Sequence, residues 1–289
     1  MFLADGGYLS WIYGTNAASH NSWTTEGRAK FSLRGGCAIL MDSEKSFRKI
    51  YWPGYKEKRV EKREQDPEKM AKYAMVKMLV NEVMMEDPTL AIMKEWGLEA
   101  DDLVACAVNQ ALAPLPIRVF GIDKDLLQLP RGTCVIERST GERSTISSYA
   151  RRNPKALWPY ITKPDDILLD LCIMGDDSDS IPRLVPPRQL DIAERIFVSD
   201  QRWMRAYDLF GQDLVRNLYL AVLPSPWCFS PVPTPEETLE IVNRKEWHDL
   251  RIHPDLANRI TETLEVVREY EIAKNLKKEE TQDYDDDEW

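Results

Sequence analysis

Nine carboxylates close short apolar runs or crowd into tight acidic clusters along this chain: Asp5, Asp42, Glu99, Asp101, Asp102, Asp123, Asp125, Asp176 and Asp179. Phe2-Leu3-Ala4 stops at Asp5, and Cys37-Ala38-Ile39-Leu40-Met41 stops at Asp42. The rest lie in Glu99-Ala100-Asp101-Asp102, Asp123-Lys124-Asp125 and Gly175-Asp176-Asp177-Ser178-Asp179. A fold that gathered these acids without cations would suffer strong like-charge repulsion. Hard divalent ions such as Mg²⁺ or Mn²⁺ take oxygen ligands and relieve it. The pattern therefore asks for a site holding two ions, and paired ions typically hydrolyse phosphodiesters. Each cluster alone would read as acids at a helix N-terminus, favoured by the helix dipole. The weight lies in their recurrence. The Gly-Asp-x-x-Asp spacing selects Asp176 and Asp179 and leaves Asp177 facing solvent.

A complementary cationic stretch lies between the second and third of these segments. Lys45 to Arg63 holds eight bases (Lys45, Arg48, Lys49, Lys56, Lys58, Arg59, Lys62 and Arg63) against Glu57 and Glu61. A net charge of −10 hides it. Seven acids and no base lie in residues 279–289, so the rest of the chain carries only −3. A local excess of this kind is the electrostatic footprint expected of a polyanion-binding surface, although such runs are often no more than a solvated helix face.

The elements that must position these groups read as an α/β domain. Phe2–Ala4, Cys37–Met41 and Ile117–Ile122 are strand candidates, and Asp5, Asp42 and Asp123 follow them directly. Pro67 to Glu86 reads as a helix opened by Asp66-Pro67, with Met70, Ala74, Met78 and Val83 on one face. A second helix spans Ala100 to Leu112, with Leu103, Val104, Ala107, Val108 and Ala111 toward the core. Strands alternating with helices imply a mainly parallel sheet flanked by helices, whose ligands gather at the carboxyl ends of the strands. Past about residue 160 the pattern turns all-helical: Ile167–Met174, Leu190–Phe197, Trp203–Leu209, a helix within 212–222, a proline-rich connector and amphipathic helices to about Lys278.

With these residues in view, a resemblance becomes specific. Gly97-Leu98-Glu99-Ala100-Asp101-Asp102, Asp123-Lys124-Asp125-Leu126-Leu127-Gln128-Leu129 and Gly175-Asp176-x-x-Asp179-Ser180-Ile181-Pro182 resemble the 5′ nuclease family. That family comprises flap endonucleases, bacteriophage 5′→3′ exonucleases and the 5′ nuclease domains of bacterial DNA polymerases. Phe47-Arg48 and Tyr55-Lys56-x-x-Arg59 match it as well, in family order. The resemblance implies a PIN-like α/β core over 1–160, with a basic helical arch at about 45–95. It implies a C-terminal all-α DNA-binding subdomain over 161–278, with a degenerate helix-hairpin-helix at about 170–197, and then an acidic disordered tail over 279–289. It assigns Asp5, Asp42, Glu99 and Asp101 to one ion and Asp123, Asp125, Asp176 and Asp179 to the other, with Asp102 close to both. It gives Lys56 and Arg59 the catalytic role of contacting the scissile phosphate. Lys45, Arg48, Lys62 and Arg63 are expected to contact the DNA backbone, and Trp52 and Tyr55 are candidates for stacking on a base, with packing the expected role of Trp52.

Two departures bear on duplex binding. Where the family has a glycine-rich hairpin that holds K⁺, this chain reads Arg183-Leu184-Val185-Pro186-Pro187-Arg188. Prolines lack the N–H groups such a hairpin offers to phosphates. This argues against K⁺ and leaves Arg183 and Arg188 to bind DNA through their side chains. An arginine that family members often carry soon after the first aspartate is replaced by Ile12.

The expectation is a monomeric, Mg²⁺- or Mn²⁺-dependent hydrolase of DNA 5′ ends or flaps, in phage-type replication or recombination. The alternatives are a catalytically silent structure-specific DNA-binding protein and a related metal-dependent RNase. No apolar run reaches the ~18 residues of a membrane span, so a cytoplasmic protein is expected. Five separated cysteines without a Cys-x-x-Cys suggest reduced thiols. His248 and His253, lacking a cysteine partner, argue against zinc. The terminal run Asp283-Tyr284-Asp285-Asp286-Asp287-Glu288-Trp289 suggests a mimic of DNA, a dock for a replication protein or a solubilising tail with no specific contact.

Overall fold

The computed structural model describes residues 2–6, 37–66, 90–110, 117–121, 123–129, 134–137, 143–146 and 160–282, with single positions at 74, 78, 149 and 157. Five strands are defined there: β1 (Phe2–Asp5), β2 (Cys37–Met41), β3 (Leu90–Lys94), β4 (Ile117–Phe120) and β5 (Cys134–Glu137). They form one parallel sheet in the order β3-β2-β1-β4-β5. Every residue of β2 is buried, as expected of a parallel strand covered on both faces, which reads as a continuous apolar run.

The strand order explains where the acids go. The chain moves outward through β1, β2 and β3, then returns to the other side of β1 for β4 and β5. The direction of winding reverses between β1 and β4. Such a reversal opens a crevice at the carboxyl ends of the two strands, the usual ligand position in an open α/β sheet. Asp5 ends β1, and Asp123 follows β4 by three residues. Asp42 follows β2, and Glu99 to Asp102 open the helix α3 (Ala100–Gln110) that follows β3. Between β2 and β3 lie α1 (Phe47–Tyr51) and α2 (Glu57–Glu64).

The helical region comprises α4 (Pro164–Met174), α5 (Leu190–Phe197), α6 (Arg202–Phe210), α7 (Gln212–Ala221), α8 (Pro235–Asn243) and α9 (Pro254–Gln282). These bounds agree closely with the sequence reading for α3 to α7. In α3, Leu103, Val104, Ala107 and Val108 are buried as expected, while Ala111 lies outside the described residues. The strands β3 and β5 were not anticipated. Of the helix expected over 67–86, only Ala74 and Met78 are described, and both are helical and exposed. The long α9 packs on α3, β3 and β2, so the chain's last helix returns to the α/β core and is not confined to the helical region. The helix runs through Gln282; residues 283–289 of the acidic run lie outside the described residues. Cys106, Cys172 and Cys228 are buried free thiols, and Cys37 is buried as well. Among the described residues no helix is long and apolar enough to cross a membrane.

Candidate metal centre

The loop between α4 and α5 brings the late acids to the crevice, and one glycine lets it do so. Gly175 has φ +75°, and a Cβ there would stand 2.6 Å from Arg183 N and 2.7 Å from Ile181 O. Only glycine tolerates both the left-handed conformation and that backbone approach. The chain then folds on itself, with Asp176 N donating to Ile181 O at 3.0 Å and Ile181 N to Asp176 O at 2.9 Å. This closure turns Asp176 and Asp179 inward and leaves Asp177 exposed, where it meets Lys58 at 3.3 Å.

Across the crevice, a 3₁₀ turn (Asp125–Gln128) follows β4. Asp123 Oδ1 caps it by accepting from Asp125 N at 3.0 Å. Asp125, Asp176 and Asp179 each offer a carboxylate oxygen within 4.8 Å of the others, and all three are buried. Asp125 Oδ1 has no hydrogen-bond partner among the described residues. A buried, unsatisfied carboxylate oxygen facing two more carboxylates is costly unless a cation meets it. Burial pushes the Asp125 carboxyl well above its ordinary value, and the charges of Asp123, Asp176 and Asp179 add to the effect. Asp179 is raised mainly by burial too, against the pull of Lys56 and Arg59. Asp176 goes the other way: the Lys124 ammonium and the Ser178 donors outweigh burial and hold it low. This donor set, all hard oxygens at close range, fits a divalent ion such as Mg²⁺ or Mn²⁺.

The acids at the start of α3 form a second group with a different electrostatic solution. Arg48, only 2% exposed, forks onto Asp102 with Nη1 to Oδ2 at 2.8 Å and Nη2 to Oδ1 at 2.7 Å. It also donates to Glu99 Oε2 at 3.1 Å and to the Val222 carbonyl at 3.3 Å. Lys56 Nζ reaches the same Glu99 oxygen at 2.8 Å. Burial alone would raise the Glu99 carboxyl, but Lys56 and then Arg48 prevail and hold it down at about 2. Asp42 Oδ1 caps α3 by accepting from Ala100 N at 2.9 Å, and Asp101 Oδ1 accepts from Asp102 N.

Tyr55 joins the two groups. Its Oη lies 3.0 Å from Glu99 Oε2 and 3.2 Å from Asp179 Oδ2, with one proton to share between them. Lys56 follows in the left-handed region at φ +57°, where a residue with a side chain is strained. Its N–H is fixed to the Asp179 carbonyl at 2.8 Å. Arg59 donates to the Asp179 carboxylate and to the Ser178 carbonyl. The start of α2 is thus bolted to the Gly175–Ile181 loop.

Three readings of the sequence need correction. Arg48 was expected on a DNA backbone; it is buried and committed to Asp102 and Glu99. Asp102 was expected near both ions; its oxygens are taken by Arg48 and by the N–H groups of Ser225 at 2.9 Å and Glu99 at 3.1 Å. It acts as the anchor for Arg48. Tyr55 was offered for base stacking, but its ring is buried, and Trp52 is covered by the Arg216 guanidinium. Lys45 and Arg188 are exposed, while Arg183 turns its Nε back to the Val185 carbonyl. Lys62 and Arg63 lie in α2, with side chains outside the described residues. Asp5 sits on the same sheet edge, outside the Asp125–Asp176–Asp179 cluster. Sequence reasoning missed Lys124 and gave Tyr55 a different role. Lys124, lying between two candidate ligands, could have been suspected.

Residues 21–153 match the family described as 5′-3′ exonuclease, N-terminal resolvase-like domain. Nothing matches among curated proteins. Among solved structures, the chain is similar to the bacteriophage T5 D15 protein co-crystallised with metal ions. There the TM-score is 0.61 at 19% identity, over 92% of this chain and 98% of that one. It is similar also to the bacteriophage T5 flap endonuclease in a pseudo-enzyme-product complex with DNA and metal ions (TM-score 0.62, 18% identity, 92% and 98% covered). A third match is the T5 5′-exonuclease with bound zinc (TM-score 0.62, 17% identity, 92% and 99% covered). At such identities the structures establish a common fold, and the sequence match concerns residues 21–153. Residues 21–153 thus match the 5′-3′ exonuclease N-terminal resolvase-like domain, and the chain shares its fold almost end to end with the T5 structures.

Proposed function

We propose that this protein is a divalent-metal-dependent 5′ nuclease that hydrolyses DNA phosphodiesters at 5′ ends or 5′ flaps in phage-type replication or recombination. The observation that carries this reading is the cluster of Asp125, Asp176 and Asp179 at the sheet's switch point, with Asp125 Oδ1 left unsatisfied. Asp123, Asp125, Asp176 and Asp179 would hold one ion; Asp5, Asp42, Glu99 and Asp101 would hold the other, in part through water. Bound Mg²⁺ or Mn²⁺ would supply an activated nucleophile and neutralise the leaving oxygen. The DNA complex of the T5 flap endonuclease supports DNA as the substrate class.

The protein's own cations would do the rest. Lys56 and Arg59 stand beside the acids and would meet the scissile phosphate, the lysine as a point charge and the arginine as a two-pronged donor. Arg48 would keep Glu99 and Asp102 in place during the reaction. The left-handed backbone at Lys56 starts its side chain beside the acids, where the ammonium meets Glu99. A 5′-labelled flap and a blunt duplex, each as DNA and with an RNA strand, test the reading with Mg²⁺, Mn²⁺ or EDTA. Metal-dependent cleavage of the DNA substrates is expected. Metal-dependent cleavage of the RNA strand alone would move the protein to the RNases. Tight binding without cleavage in either metal would make it a structure-specific DNA-binding protein.

A further inference from the structure

The helix that sends Arg48 into the acids also presents an apolar surface to solvent. Trp96 is 61% exposed, Ile50 60% and Tyr51 39%. Trp96 and Tyr51 belong to one continuous set of rings. Trp96 meets Phe47 edge-on at 4.8 Å, Phe47 stacks on Trp227 at 5.8 Å, and Tyr51 packs on Trp227 at 6.1 Å and on Tyr219 at 4.8 Å. The backbone beneath Trp96 is pinned. Gly97 N donates to Ser43 Oγ at 3.0 Å, and Phe47 N donates to Gly97 O at 2.8 Å. Gly97 has φ +81°, and a Cβ there would fall 2.1 Å from the Phe47 ring. The exposed indole is therefore held on a rigid base, and a contiguous exposed apolar patch marks an interaction surface.

Charge selects the occupant. Glu44 and Glu95 are bound by Lys94 and Arg259. Beside Tyr51, Glu236 and Arg216 oppose each other. Lys45 and Lys49, on the segment that carries the aromatic face, have no ion-pair partner among the described residues. Flat exposed rings on a segment that also carries two exposed ammonium groups, without an ion-pair partner among the described residues, suit a polyanion with exposed base faces, which is single-stranded nucleic acid; a duplex hides those faces. An apolar protein segment would leave the lysines unused.

We propose that Trp96 and Tyr51 form a base-stacking platform for an unpaired DNA strand, beyond the carboxyl ends of β2 and β3 and on the same edge of the sheet as the acids. The proposal rests on the nuclease reading and deepens it, because it makes Trp96 a determinant of preference for substrates with a single-stranded arm. Binding is measured with Ca²⁺ in place of Mg²⁺, on a fluorescein-labelled duplex bearing an oligothymidine 5′ arm, its blunt counterpart and a version with an abasic arm. Trp96→Ala is expected to weaken binding of the thymidine arm about 5- to 20-fold, with Tyr51→Ala giving a smaller loss in the same direction. The loss should be equal at about 50 and 200 mM salt, because stacking is not screened as phosphate contacts are. Trp96→Phe should restore most of it. Blunt and abasic probes should shift less than about twofold. Equal loss on all three probes, or none on the thymidine arm, overturns the platform. Absence of Mg²⁺-dependent cleavage would overturn the nuclease reading instead, and this binding result would still stand or fall by itself.

Discussion

The two acidic groups of this protein are built from the same residue types and neutralised in opposite ways. At the start of α3, Arg48 and Lys56 bring their own positive charge, and Asp102 has a partner for each oxygen. At the loop after α4, three buried carboxylates converge with Lys124 and Arg59 paired at their edge, and one oxygen has no donor among the described residues. The first group is a scaffold that also presents Glu99 and Asp101. The second is the one that would take an added cation. Counting acids cannot separate the two; locating their counter-charges does.

The largest expected effect tests the scaffold side. Arg48→Ala strands Asp102 and Glu99 as buried charges, and breaking such a pair costs about 3–5 kcal/mol. Thermal unfolding should show a drop of several degrees that Mg²⁺ does not recover. A variant that melts like the wild type would return Arg48 to the surface role first read from sequence.

Next comes the cation between the groups. Lys56→Ala should lower kcat about 10- to 100-fold with less change in DNA affinity, since its charge would act where negative charge develops in the transition state. Single-turnover cleavage beside Ca²⁺ binding separates the two. A variant that changes only the salt dependence of binding would make Lys56 one more solvated base. Lys62→Ala offers the contrast, with modestly weaker binding and a salt slope reduced by roughly one counterion.

A smaller effect comes from outside both groups. Burial pushes the Asp170 carboxyl up to about 6, opposed by hydrogen bonds from Tyr149 Oη and Leu157 N. The folded state thus favours the protonated acid. Its stabilising contribution is present below the ordinary carboxylate range, is lost as pH rises through about 6, and is absent above. Asp170→Asn should therefore melt with a shallower decline between pH 4 and 7, by up to about 3 kcal/mol for a shift of this size. Parallel melting curves across that range would remove Asp170 as the cause.

Much of the frame was legible in the chain. The buried run Cys37–Met41 announced a parallel strand, and the acids closing β1 and β2 or following β4 placed themselves at the carboxyl edge once the sheet was assumed. Gly175-Asp176-x-x-Asp179 foretold which acids turn inward, because only a glycine could permit that turn. The strands β3 and β5 were hidden: Leu90-Ala91-Ile92-Met93-Lys94 is short, lacks alternation and has Pro88 just before it. Arg48 was misjudged for a physical reason. Its neighbours in sequence are Lys45 and Lys49, both exposed, and nothing local reveals that its partners lie 51 and 54 residues ahead. Asp102 carried the same ambiguity, since an acid at a helix start can bind metal, cap the helix or hold an arginine.

The difference between the two groups can be measured without any cleavage. Metal-free wild type and Asp125→Asn are titrated with Mn²⁺ by calorimetry, and each is melted with and without the ion. Asp125→Asn removes a buried charge whose protonation the fold favours, so the variant without metal should melt above the wild type, more so at pH 8 than at pH 5. It should also lose the tighter Mn²⁺ binding event, and with it most of the metal-induced rise in melting temperature. Unchanged Mn²⁺ affinity and stoichiometry, with identical metal-free melting at both pH values, would contradict the assignment of Asp125, Asp176 and Asp179 as the group that requires a cation.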